Sequence, residues 1–208
     1  MKNKLIHNWG INDVEYNVHK FGMVEGTYKK VWVCPYYTDW CSILERVYSK
    51  VYQTKYPTYI GCTIDPEWKY LSNFIKWVDS QPNRDWQNCE PDKDFLSEGN
   101  KHYGSDTVVY IPKRLNLFIL SRGKSRGDLM IGVSRSGSNK NPYRVHCCNP
   151  ITNKRERLGC FSSELEAHKA WQAKKHEIAL KLTEHQQDPR VAKALRERYA
   201  PDKDWTSN

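Results

Sequence analysis

No stretch of this 208-residue chain is apolar enough to cross a bilayer. A helical span takes about 20 apolar residues, and the longest runs here, such as Leu117–Leu120, stop far short. Met1-Lys2-Asn3-Lys4 is followed by no apolar segment, so no secretory leader is expected. None of the seven cysteines (Cys34, Cys41, Cys62, Cys89, Cys147, Cys148, Cys160) forms a Cys-x-x-Cys pair, which leaves a zinc ribbon or a thioredoxin-type site without support. Their odd number and scatter read as free thiols in a reducing compartment. Acidic residues are the scarcer charge, 24 against 33 Lys and Arg, for a net +9. Aromatic residues are not scarce: eight Trp and thirteen Tyr argue against a disordered chain. The expectation is a soluble, cytoplasmic protein of one domain or two small ones, with a basic surface and no membrane partner.

The charge is unevenly spread. Residues 1–84 carry 11 basic and 8 acidic residues; residues 85–120 carry 4 and 6; residues 121–208 carry 18 and 10. Within 121–160 the count is 9 basic to 2 acidic. A basic block beside a small acidic one suggests a polyanion-binding module next to a metal site.

Apolar spacing places the elements. Trp40, Ile43, Leu44, Val47 and Val51 predict a helix over 39–52. Val31–Val33 and Gly61–Ile64 read as short strands. Asp65-Pro66 reads as a helix start, with Trp68, Leu71, Phe74, Ile75 and Val78 forming one face to about Ser80. Residues 81–91 read as loop. Strands are then expected near 92–96 and 107–111 around a polar loop, with a helix beginning at Lys113.

Segment 92–120 begins Asp92-Lys93-Asp94 and continues through Gly99-Asn100-Lys101-His102 to Asn116. This order of strand, loop, strand and helix resembles the ββα-metal core of HNH nucleases. The resemblance implies that Asp92 and Asn116 hold a divalent cation such as Mg²⁺, a hard ion that takes oxygen ligands. The cation would polarise a scissile phosphate. The general base of that family is a His directly after the Asp, and here the position is Lys93, a poor base near neutrality. His102 is the histidine between Asp92 and Asn116 that would substitute, and Asp94, expected on the same strand face as Asp92, is a further metal ligand candidate.

A second resemblance covers residues 127–180. Ile131–Ser134, Tyr143–Cys148 and Arg157–Phe161 read as three strands, and Ser162 or Ser163 as the cap of a helix with acids in its first turn. This resembles the APETALA/ethylene-response-factor type of DNA-binding domain, which also accompanies HNH nucleases in phage homing endonucleases. Alternation puts Tyr143, Val145 and Cys147 on one face, and Arg144, His146 and Cys148 on the other. The helix is expected to cover the apolar face with Leu165, Ala167, Ala170, Trp171 and Ile178. The open face would carry Ser134, Arg135, Arg144, His146 and Arg157 towards duplex DNA, with Lys154 and Arg155 in the hairpin as phosphate contacts. Arg122, Lys124 and Arg126 lie in a basic linker where they would track phosphates. Asp188–Tyr199 has a further helical pattern.

The expected fold is therefore α+β: a ββα core at about 88–120 inside an N-terminal region 1–120, a linker at 121–130, a sheet module at 131–183, and a C-terminal helix and tail at 184–208. The function expected is a phage-type, metal-dependent DNA endonuclease acting in the infected cell, with its oligomeric state open and a monomer favoured. The alternative is a non-cleaving DNA-binding scaffold or regulator, which Lys93 favours.

Overall fold

A computed structural model describes residues 5–119 and 128–203. The chain forms two compact units, Met1–Ile111 and Pro112–Asn208, of mixed α and β structure. The division falls at Ile111/Pro112, earlier than the expected boundary at residue 120, and the second unit also takes in the C-terminal helix that was expected to stand apart. Among the described residues no helix is long and apolar enough to cross a membrane.

The first unit begins with an antiparallel hairpin of β1 (His19–Val24) and β2 (Thr27–Val33). Its two-residue turn has positive φ at both Glu25 (51°) and Gly26 (74°). That is the turn geometry whose twist matches the flanking strands.

Helix α1 (Pro35–Tyr48) starts with proline in its first turn and buries Trp40, Ile43 and Leu44, spaced three and one apart as one helical face requires. The single helix expected to 52 is broken at Ser49. Its backbone turns extended, and its Oγ accepts the Tyr52 N–H at 3.2 Å, capping a separate α2 (Lys50–Lys55). A hydroxyl that can bond a neighbouring N–H competes with helix continuation.

Next come β3 (Thr63–Ile64), a 3-10 turn over Pro66–Lys69 capped by Asp65, and α3 (Leu71–Ser80). Asp65-Pro66 thus opens a short turn distinct from the helix that follows. Trp68 lies 5.1 Å from the Phe74 ring and 4.4 Å from the Trp77 ring, and its carbonyl accepts the Trp40 indole N–H at 2.7 Å. Burying several indoles while satisfying this donor anchors the core.

The unit closes with β4 (Cys89–Asp92), β5 (His102–Tyr103) and β6 (Val109–Pro112). β5 pairs in parallel with β3, Thr63 opposite His102, while β4 pairs with β6.

The second unit opens with α4 (Lys113–Ile119). An antiparallel sheet follows, of β7 (Val133–Arg135), β8 (Tyr143–Asn149) and β9 (Lys154–Phe161), in that order. Helix α5 (Glu164–Thr183) is capped by Ser163, as expected, and α6 (Pro189–Arg198) is capped by Asp188. Val133, Val145 and Cys147 are buried on the helix side of the sheet together with Ala167, Trp171 and Ile178. Leu165 departs from the expected face and is exposed.

The buried side of α5 is partly polar, and each polar group meets a chain carbonyl. His168 Nδ1 lies 2.9 Å from the Ile131 oxygen, and Gln172 donates to the Ala200 and Lys203 carbonyls. The Lys175 ammonium donates to the Phe118 carbonyl among the rings of Phe118, Trp171 and Tyr199. Through the Gln172 and Lys175 bonds, α5 holds α4 and the chain just after α6.

Candidate nucleic-acid interface and candidate active site

The face of the second unit's sheet away from α5 is built by register. On β8, Arg144 and His146 alternate with the buried Val145 and Cys147. On β9 the register shifts between Val145 and His146: Val145 stands opposite Gly159, but His146 stands opposite Arg157. Leu158 is therefore an extra residue, a β-bulge. Because side chains alternate with a period of two, that one residue reverses the face of everything before it on β9. Arg157 comes opposite His146 and Arg155 opposite Cys148, both on the open face. Glu156 turns to the helix side, where Lys174 meets it at 3.1 Å and Asn149 donates to it at 2.7 Å. Without the bulge the two arginines would point at α5.

Four groups thus converge. Burial, and then the charges of Arg155, Arg144 and Arg157, hold the His146 imidazole below the usual histidine range. Ser134 pairs with Arg144 across β7–β8, and its hydroxyl donates to the Arg144 carbonyl at 3.2 Å. The Arg144 Nε and His146 Nδ1 have no hydrogen-bond partner among the described residues. Arg135 is a correction: it pairs with Tyr143, shares the face of that residue, and lies 5.1 Å over its ring. Lys154 is exposed at the hairpin as expected. Arg122, Lys124 and Arg126 lie outside the described residues. Beside this face a groove of about 450 Å³ is lined by His146, Cys148 and Arg155, with Phe118 and Trp171 supplying apolar wall.

The acidic segment of the first unit differs from expectation in several ways. β4 ends at Asp92 where a strand over 92–96 was expected, so Asp94 lies beyond the strand and does not share its face. The Oδ1 of Asp92 accepts the backbone N–H groups of Asp94 and Phe95, each at 2.7 Å, and turns the chain there. Burial pushes the Asp92 carboxyl above the ordinary range, the charge of Asp94 adds to this, and the two N–H donors pull against it. Lys93 points inward, only 6% exposed. It donates to Asp94 at 2.7 Å and to the Asn100 carbonyl at 2.5 Å. Asn100 ties the loop shut by donating to the Lys93 and His102 carbonyls, both at 2.8 Å.

His102 lies on β5, where a connecting loop was expected, with Nδ1 2.9 Å from the Thr63 hydroxyl. Its ring lies against Gly104: a Cβ there would meet His102 Nε2 at 2.7 Å and come 3.7 Å from an Asp65 carboxylate oxygen. Asp65 and Thr63, neighbours of His102 through the β3–β5 pairing, carry no chemical signal in the sequence beyond the turn signal of Asp65-Pro66. Asn116 sits on α4, in the second unit. Asp92 and Asn116, expected as a metal pair, thus fall in different units. At the end of β4 the carboxylates are those of Asp92 and Asp94, and Asp94 Oδ1 is buried with no partner among the described residues. Oxygen donors of this kind suit Mg²⁺, although no cluster of three or more His, Cys, Asp or Glu forms among the described residues. No family model matches the chain, and no curated protein or solved structure matches it either.

Proposed function

We propose that the chain binds double-stranded DNA through the open face of the sheet in its second unit. The observation that carries this reading is the convergence of Arg144, His146, Arg155 and Arg157 on one face by way of the Leu158 bulge. Guanidinium groups bond phosphates and the edges of guanine. The histidine provides a pH test. Since His146 is held below its ordinary value near 6.5, it is neutral at pH 7 and gains a positive charge only under more acid conditions. In the fold alone that protonation is mildly unfavourable, so stability falls slightly as the pH is lowered; against phosphates the new charge is attractive. Duplex affinity at fixed ionic strength should therefore rise as the pH is lowered from 7.5 to 5.5, and His146→Ala should flatten that profile. A profile identical in the two proteins would exclude His146 from the interface.

The same proposal gives the first unit a metal-dependent phosphodiester hydrolysis, nicking or cutting the bound DNA. Asp92 ends β4, which pairs with β6 in the first unit. Asp92 and Asp94 would hold the cation. A bound cation supplies charge neutralisation at the scissile phosphate and the leaving oxygen. Thr63 orients the His102 ring as the candidate base. Asp92→Asn keeps an oxygen for the Asp94 and Phe95 N–H groups but loses the negative charge. It should lower Mg²⁺-dependent nicking of supercoiled plasmid by about 10²-fold or more while duplex affinity stays unchanged.

A second reading is a non-cleaving DNA-binding protein. It is favoured by Lys93, whose ammonium is occupied by Asp94 and Asn100. Wild-type protein that binds duplex but leaves plasmid intact with Mg²⁺ present would decide for it.

A further inference from the structure

The β1–β2 hairpin exposes apolar side chains that no other element covers fully. Phe21, Met23 and Tyr28 are 54%, 66% and 69% exposed. A two-stranded hairpin is marginal in water by itself, and this one forms a sheet of two strands only. Its surface is ordered. Met23 stands opposite Tyr28, and the Phe21 and Tyr28 rings are near-parallel, 19° apart in plane at 6.0 Å between centroids. Lys20 stands opposite Trp32 with its ammonium 5.0 Å from the ring centroid. A groove runs here, lined by Tyr16, His19, Lys20, Phe21, Tyr28 and Trp32. Lys30, opposite Phe21, adds charge on the ring face, and Glu25 in the turn is the one acid in 19–33.

We infer that this groove binds single-stranded nucleic acid, its bases stacked on the Phe21 and Tyr28 rings and its phosphates met by Lys20, which lines the groove, and Lys30, which stands opposite Phe21. Every base has a π-face, so ring platforms flanked by cations take strands without regard to sequence. A duplex fits the groove less well, because its base faces are already stacked on one another. A protein partner fits less well too, since lysine is depleted from protein interfaces. The inference does not rest on the reading of the open sheet face: the two surfaces belong to different units and involve different residues.

The experiment uses the full chain and a fluorescein-labelled fifteen-residue oligothymidylate, with a labelled duplex in parallel. Wild type should bind the single strand with salt-dependent affinity. Phe21→Ala with Tyr28→Ala should weaken that binding by about tenfold or more, and leave duplex affinity within about twofold. Phe21→Leu with Tyr28→Leu, which keeps an apolar hairpin but removes the π-faces, should lose single-strand affinity as well. Arg144→Ala with Arg157→Ala should leave it intact. If the leucine variant binds the oligothymidylate like wild type, or if wild type does not bind it, the inference is overturned. It is equally overturned if the hairpin variants lose binding to phosphatidylserine vesicles or self-association and keep single-strand affinity.

Discussion

Alanine at both Arg144 and Arg157 should weaken duplex DNA binding by about 30-fold at least. Each arginine bond to a base or phosphate is worth about 1–3 kcal/mol, and each 1.4 kcal/mol is about a factor of ten. The two side chains stand on the open face, one on each side of the register shift, and neither is part of the apolar core of the unit. Thermal unfolding should therefore be nearly unchanged. The salt dependence should change in a countable way: for each phosphate that the variant no longer neutralises, the slope of log affinity against log salt falls in magnitude by about 1. Fluorescence anisotropy at several salt concentrations measures both. Unaltered affinity and slope in the double variant would remove the open face from the interface.

The other large effect is expected at a residue that touches no ligand. Gly132 has φ +84°, and a Cβ there would lie 2.1 Å from the Trp171 ring. Trp171 is 5% exposed and meets Tyr199 edge-on at 5.7 Å, so it has little room to give way. Gly132→Ala combines a left-handed backbone for an L residue, about 1–3 kcal/mol, with an overpacked core, about 1–3 kcal/mol. A loss of roughly 4 kcal/mol is a large fraction of the stability of a small domain, and should lower the unfolding temperature of the second unit by roughly 15 °C or more. Duplex binding should fail with it. A melting temperature within about 2 °C of wild type would show that Trp171 can move.

How much of the molecule is legible in its sequence varies with the range of the signal. Local signals read well: the Ser163 cap with Glu166 three residues on, and the alternation of Tyr143, Arg144, Val145, His146 and Cys147. Both lie within a few neighbouring positions. The mixed α+β class and the three-stranded sheet follow from them. The helix break at Ser49 is hidden because the apolar spacing continues across it, and a single hydroxyl decides the outcome. Arg157 is expected on the open face by position, yet the strand reaches that face only through an extra Leu158. A bulge is a property of two strands together and leaves no mark in one strand's pattern. Arg135 is misplaced for the same reason, since its face depends on which residue of β8 it meets. In the acidic segment the residue types are legible, but their partners are not. The bond between Lys93 and Asn100, and the pairing of Thr63 with His102, join positions whose proximity arises from chain folding.

The ammonium of Lys175 sits beside the packed rings of Phe118, at the start of the unit, and Tyr199, just after α6. The three-stranded sheet is therefore not transferable as the segment 131–183 that its pattern marks out. A fragment cut at those limits would strip Trp171 and Lys175 of the neighbours that screen them, leaving a bare aromatic surface and a buried charge without its acceptor. Recombination that moved the sheet between proteins would have to carry the short helix before it and the helix after it. The piece that would keep these contacts is accordingly close to Pro112–Asn208, nearly twice as long as its recognisable motif.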